Sequence, residues 1–407
     1  VSEWIKQTCG PTVAFLAGWT YWVVHVPYLA QKPQAALIAV SWAIFKNGAV
    51  VKTLNPLILQ SLTLVCFLGF LVLASRGVNS LKKIGIVAGT SMLIMSILFI
   101  LLMLAAPALR GVHSATTDWG WHTFIPNFDF TYFTTISMLL FAVGGCEKLA
   151  PYVNNTHNPA KEFPKAMIAV AGLVAVSALL GSFAMGLMFD AHNLPKDLKM
   201  NGQYYAFQLL GQYYGLGNCL MIIYALANGI GQIAALMFSI DAPIKVFLGE
   251  ANPRFVPNFL NKKNKHGAPI NGYILTAILV SILIIVPAFG IKNMNDLFNW
   301  LLDLNSIVMP MRYLWVFAAY IAIKKLASQF NSDYQFVKNR QLGMTIGIWC
   351  FGLTIFAILM GMFPKGITMY SHKWYFQLTL NIITPFGLLA LGFIMPIIAK
   401  FSNNQTT

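Results

Sequence analysis

The sequence predicts an all-α polytopic membrane protein, on three observations. Of its 407 residues, 57% are hydrophobic and only 10% are charged, where an ordinary soluble domain carries about a quarter charged residues. The mean hydropathy is +0.67. The apolar residues gather in runs of about 20 or more, the length that crosses a hydrocarbon core, with short polar punctuation between them.

Apolar length and loop punctuation give ten spans: 11–45, 55–74, 81–106, 130–152, 163–189, 216–248, 269–289, 295–323, 341–363 and 374–399. Spans one and six exceed a perpendicular crossing, so both are expected to tilt, and Pro27 and Pro33 are expected to kink the first. The longest connections are 107–129, 190–215 and 249–268. The 27 basic residues set the orientation. Lys46, Lys52, Arg110, Lys196, Lys199, Lys292, Lys365 and Lys373 fall on one side, Lys32 and Arg312 lie within spans, and all the others fall on the opposite side. That excess places both termini in the cytoplasm.

Composition also excludes functions. The net charge of +15 comes without a basic patch interleaved with aromatics, so no nucleic-acid partner is expected. Five cysteines stand singly and seven histidines are dispersed, with no CxxC or HExxH spacing and no nucleotide-binding glycine loop. Neither a metal nor a cofactor is expected, nor any catalytic cluster, so the chain does not read as an enzyme.

Ionisable residues inside spans are costly and mark function or a partner. Here they are His25, Lys32, Glu147, Lys148, Asp303 and Arg312, with Asp241 and Asp296 nearer span ends. They concentrate in spans one, four, six and eight, which are therefore expected to surround a polar centre while the others face lipid. The fourth span runs through Phe141 into Gly144-Gly145-Cys146-Glu147-Lys148 and then Pro151. Paired glycines weaken a helix, and Pro151 offers no N–H to the Glu147 carbonyl. Two readings stand open: a discontinuous helix whose free backbone and Glu147 face a solute, or a Gly/Pro kink with Glu147 reaching the interface.

His25, one turn from Trp22, is either a hydrogen-bonded packing residue or a ligand contact. Asn228 and Gln232, also one turn apart among small residues, serve interhelical hydrogen bonding or solute contact. Asp303, midway along span eight, reads as functional. Arg312 lies about 13 Å further along a continuous helix and half a turn out of phase, so it is expected to reach cytoplasmic-side carbonyls or headgroups instead.

Phe141-Ala142-Val143-Gly144-Gly145-Cys146-Glu147, followed by Asn158-Pro159 and Phe163-Pro164, resembles the sixth helix and following loop of the amino acid–polyamine–organocation transporters. Asp241-Ala242-Pro243-Ile244-Lys245 and Asn264 to Pro269 continue the match, which is most similar to the branch of bacterial glutamate/γ-aminobutyrate antiporters. The resemblance implies a LeuT-like fold of two inverted five-helix repeats plus two further helices. Residues 1–125 would be the remainder of the first repeat, 126–325 the second, and 326–407 the accessory helices and tail. Counted from the motif, the ten spans correspond to helices three to twelve, and helices one and two look to be missing.

The resemblance further implies secondary transport of amino acids, or amino acid/amine exchange, by alternating access in a bacterial inner membrane. Phe141 would close over substrate, the break at Gly144, Gly145, Cys146 and Glu147 would receive the substrate amine, and His25 and Gln232 would line the path; Asp303 joins the candidate substrate contacts on its mid-span charge, not on the resemblance. Gln232 stands where the glutamate/γ-aminobutyrate exchanger has a carboxylate, and its paired helix-ten tyrosines have no clear equivalents around Asn305–Tyr313. Proton-coupled relatives often carry a lysine in helix five. Residues 84–106 carry no charge, which favours exchange over the alternative of proton-coupled symport.

Overall fold

The structure is a computed structural model. It describes residues 2–76, 78–147, 153, 156–249, 252–291, 293–326 and 334–403, and of residues 78–82 and 122 the backbone alone. Among the described residues it is helical, and nine helical segments are long and apolar enough to cross a membrane. The tenth apolar helix, α8 (Phe130–Val143), has 14 residues. It is about 21 Å long and falls short of a crossing. Helix ends at Gly144 where the sequence predicts the fourth span's interruption, while Lys148 and Pro151 lie outside the described residues.

The first span is two helices, α2 (Pro11–Val23) and α3 (Val26–Phe45), preceded by a short α1 (Ser2–Cys9). The turn at Val24–His25 precedes Pro27, which leaves the Val23 carbonyl without its usual donor. The His25 N–H folds back to the Trp22 carbonyl at 3.1 Å, tightening the turn. Pro33, by contrast, sits inside an unbroken α3. The eighth span, read from sequence as one helix, is also two: α14 (Met294–Val308) and α15 (Met311–Lys325). Pro310 explains the break, since its ring takes the N–H that Ser306 would need. The sequence reading passed over it.

The expected division between centre and periphery is observed for spans one, six and eight; α8 of span four buries only Thr134 and Ser137. The most apolar stretch of the first span is 78% buried, that of the sixth, α11 (Cys219–Leu248), 50%, and that of the eighth 44%; in each of the other six long spans it is 33% or below. In α9 (Pro159–Met188) that share is 0%, so this helix turns its apolar surface outward, as lipid contact requires. α11 lies along α3 as the most extensive helix pair. Tryptophans bind the centre to its neighbours through their N–H groups: Trp19 donates to the Leu388 carbonyl at 3.1 Å, and Trp22 to Thr276 Oγ1 at 3.2 Å. Each satisfies a donor that burial would otherwise leave unpaired.

The 190–215 connection, expected as a loop, contains α10 (Leu198–Tyr213). Asp197, just before it, pairs with Lys52 at 2.6 Å and accepts from Asn201 Nδ2 at 2.8 Å, while Trp42 Nε1 donates to Asn201 at 2.8 Å. Burial pushes the Asp197 carboxyl up, but hydrogen bonds from Lys52, Asn201 and Tyr205 outweigh it and hold it below the usual range. α10 is thereby fastened to the end of α3.

On the same side, residues 111–129 are tied to the end of α9. The Ala115 N–H donates to the Leu187 carbonyl at 2.9 Å, and His192 Nε2 lies 3.1 Å from Asp118 Oδ2. The hydrogen bond with Asp118 raises the His192 imidazole above its ordinary value. A raised folded-state value means the tie is fully present below about pH 6.5 and is lost as pH rises through that higher value. Amide exchange over 111–124, corrected for intrinsic pH dependence, should therefore quicken as pH rises above about 6.5. His192→Asn should abolish the change; an equal change in the variant would place its origin elsewhere.

Candidate functional site

Three interruptions meet at one place: the α2–α3 turn, the end of α8, and the α14–α15 break. Arg312, second residue of α15, joins them. It is 3% exposed, and its Nε lies 2.7 Å from Glu147 Oε1, just beyond the end of α8. Its Nη1 donates to His25 Nε2 at 2.8 Å, and its Nη2 donates to the Tyr313 hydroxyl at 3.0 Å. The expectation that Arg312 reaches carbonyls or headgroups at the cytoplasmic side is thus corrected. The Pro310 break separates it from the α14 register, and a buried guanidinium finds its counter-charge across the helix interface.

These contacts fix the state of His25. An arginine only donates, so Nε2 must accept; Nδ1 then carries the proton and donates to the Tyr21 carbonyl at 2.7 Å. His25 is accordingly a neutral imidazole that orients Arg312.

Local backbone prepares the break. Gly145 has φ +124°, a conformation that favours glycine. Gly144 is needed for another reason: a Cβ there would fall on the Tyr313 phenol oxygen. The last carbonyls of α8 run out of intrahelical donors beyond this point, and the helix's partial negative end lies beside the Arg312 cation.

The ion pair is close but misaligned. Although Nε and Oε1 are 2.7 Å apart, neither Glu147 oxygen nor Arg312 Nε completes a hydrogen bond among the described residues. A buried carboxylate and guanidinium with capacity left over are a demanding arrangement, and one able to accept further polar groups.

The sequence-predicted residues divide into three groups. His25, Gly144, Gly145 and Glu147 gather around Arg312, and Cys146 lies within the same break with its side chain exposed. Phe141 and Gln232 line an adjacent wall. The Phe141 ring lies 6.4 Å from Tyr28, which in turn lies 6.4 Å from His25. Gln232 Oε1 accepts from Lys32 at 2.8 Å, and its amide donates to Asn228 at 2.9 Å.

Asp303 stands apart. It is 3% exposed and lies 3.3 Å from Lys199 and 4.0 Å from Lys365, lysines that topology alone leaves in loops. Burial pushes the Lys365 ammonium below its usual value, against the pull of Asp303. Sequence reasoning missed Arg312 and Tyr313 as members of the site; Pro310 was the available signal.

Interrupted spans around a buried, incompletely satisfied ion pair are the arrangement of a secondary transporter. A family profile described as amino acid permease matches residues 1–386, and the chain belongs to that family. It is 52% identical to an aspartate/glutamate permease, AcaP, of Lactococcus lactis subsp. cremoris, over 100% of this chain and 84% of that protein. It is 26% identical to a glutamate/gamma-aminobutyrate antiporter of Lactococcus lactis subsp. lactis, over 94% of this chain and 75% of the relative. It is 23% identical to the inner membrane transporter YjeM of Salmonella typhimurium, over 79% and 68% respectively. The family implied by residues 141–166 is therefore confirmed: this is a multi-pass membrane protein of amino acid transport, not an enzyme.

Removing one partner of a buried pair strands the other charge, at a cost of about 3–5 kcal/mol. Arg312→Gln and Glu147→Gln should each lower the thermal unfolding midpoint in detergent, while the double variant should recover most of the loss. Strictly additive losses would show that the two charges are not coupled.

Proposed function

We propose that the chain carries acidic amino acids, aspartate or glutamate, by exchange. The observation that supports it best is the unsatisfied Glu147–Arg312 pair at the broken end of α8. An amino acid is a zwitterion whose ammonium complements Glu147 and the free α8 carbonyls, and whose α-carboxylate complements Arg312. Substrate would thus replace one misaligned internal ion pair with two aligned external ones. The acidic class is supported by the name of the relative at 52% identity.

On this reading Phe141, Gly144, Gly145, Cys146, Glu147, His25 and Gln232 form the substrate site together with Arg312 and Tyr313. Asp303, with Lys199 and Lys365, belongs to a charge cluster at the lysine-poor side. Residues 126–325 act as one repeat that rocks against the remainder, and 326–407 as an accessory pair. Exchange is favoured over proton symport because residues 84–106, within α6 (Val78–Arg110), carry no ionisable side chain.

In proteoliposomes of the full-length protein, labelled aspartate should accumulate only when the lumen is preloaded with aspartate or glutamate. Accumulation driven by an imposed pH gradient into empty vesicles would overturn the exchange reading. Preference for neutral amino acids would overturn the acidic one.

The excess of basic residues supports cytoplasmic termini in the cell membrane. An impermeant thiol reagent added to intact cells lacking the native cysteines should label a cysteine placed at Lys196 and miss one at Lys263. The reverse pattern would invert the topology.

A further inference from the structure

Three of the charged groups inside the spans have a counter-charge beside them. Arg312 is matched by Glu147, Asp303 by Lys199 and Lys365, and Asp241 by Lys245 at 2.6 Å. Lys32 has no carboxylate partner among the described residues. Its ammonium donates to the neutral Gln232 amide oxygen at 2.8 Å and sits over the Tyr28 ring, 4.6 Å from its centre. Neutral acceptors and an aromatic face hold a cation in place, but they do not cancel its charge. Among the described residues, one of its three N–H donors is committed, to Gln232.

The ammonium is also held in a set orientation. Gln232 turns its oxygen to Lys32 because its amide nitrogen donates to Asn228 Oδ1 at 2.9 Å. Asn228 Nδ2 in turn donates to the buried Tyr204 hydroxyl at 2.8 Å. This relay, running from α10 through α11 to α3, fixes where the charge sits.

Its place relative to the site follows from helix geometry. Lys32 is seven residues beyond His25, so it lies on nearly the same face of the helix, about 10 Å along the axis. Tyr28 occupies the turn between them and touches Phe141. The Arg312–Glu147 pair therefore lies at one end of a short wall made by Tyr28 and Phe141, and the uncompensated ammonium at the other.

We infer that Lys32 receives the side-chain carboxylate of the substrate and sets the preference for acidic over neutral amino acids. The inference rests on the acidic reading above. Glu147 and Arg312 bind the part common to every amino acid; Lys32 reads the part that distinguishes aspartate from asparagine. Gln232 and Tyr28 are positioning residues for it.

The test compares kcat/KM for aspartate and asparagine in proteoliposomes of full-length wild type, Lys32→Met and Lys32→Arg. A ratio of the two substrates does not depend on the amount of folded protein. Lys32→Met should lower the aspartate-to-asparagine ratio by about 30-fold or more, mainly through the aspartate KM. Lys32→Arg should keep the acidic preference. An unchanged ratio in Lys32→Met overturns the inference. So does an equal loss of both substrates, which a purely structural lysine would give. A wild type that prefers asparagine instead overturns the acidic reading itself, so the two failures are told apart by which protein shows them.

Discussion

The arrangement of this protein's centre depends on one constraint: a charge carried into the membrane must find its opposite or a polar cavity. Arg312 meets that constraint by crossing from α15 to Glu147 at the end of α8, while its Nη1 donates to His25 and its Nη2 to Tyr313. The contact draws together three helices that come from distant parts of the chain. Each is interrupted where it arrives, because an intact helix offers its neighbours no free backbone. Pro27 loosens the α2–α3 turn, Gly144 and Gly145 end α8, and Pro310 divides the eighth span. The breaks and the ion pair thus belong to a single arrangement.

A second charge group obeys the same rule further back along α14. Buried Asp303 draws Lys199 from α10 and Lys365 from the loop before α17 (His372–Ala390). Through Lys365 it reaches Ser137 on α8, whose hydroxyl lies 3.3 Å from that of Ser306. The helix that ends at the candidate site is therefore also held two turns earlier, where α10 and the loop before α17 come together. Movement of α8 cannot leave either charge group undisturbed.

Much of this was legible in the sequence, for physical reasons. Hydrocarbon thickness imposes a minimum apolar length, so the spans could be read from hydropathy alone. The cost of membrane-depth charge singled out Glu147, His25 and Asp303. Paired glycines announced the end of α8. The partners of these groups were not legible, because pairing depends on three-dimensional register. Arg312 looked remote from Asp303 on an unbroken helix and was left without a carboxylate, since nothing local connects it to residue 147. Lys199 and Lys365 looked like loop charges because topology rules count residues between spans and do not see a loop fold inward. The helix in 190–215 escaped for a similar reason. Its sequence is too polar for a span, and only the Asp197, Asn201 and Trp42 contacts show why it is ordered.

The charge balance carries one more step. If Lys32 is uncompensated, the empty site holds a net positive charge and the occupied site, with an acidic amino acid of net charge −1, holds none. Reorienting the empty protein would then move an unpaired cation through a closed, low-dielectric state, at a desolvation cost of several kcal/mol. Reorienting the loaded protein would move a neutralised site. Because every 1.4 kcal/mol is tenfold in rate, a difference of even ~3 kcal/mol would make return without substrate more than a hundredfold slower than return with it. Exchange would follow from electrostatics alone, with no separate device to forbid the empty return. Acidic specificity and exchange then share one cause, a single lysine held by an amide and a ring.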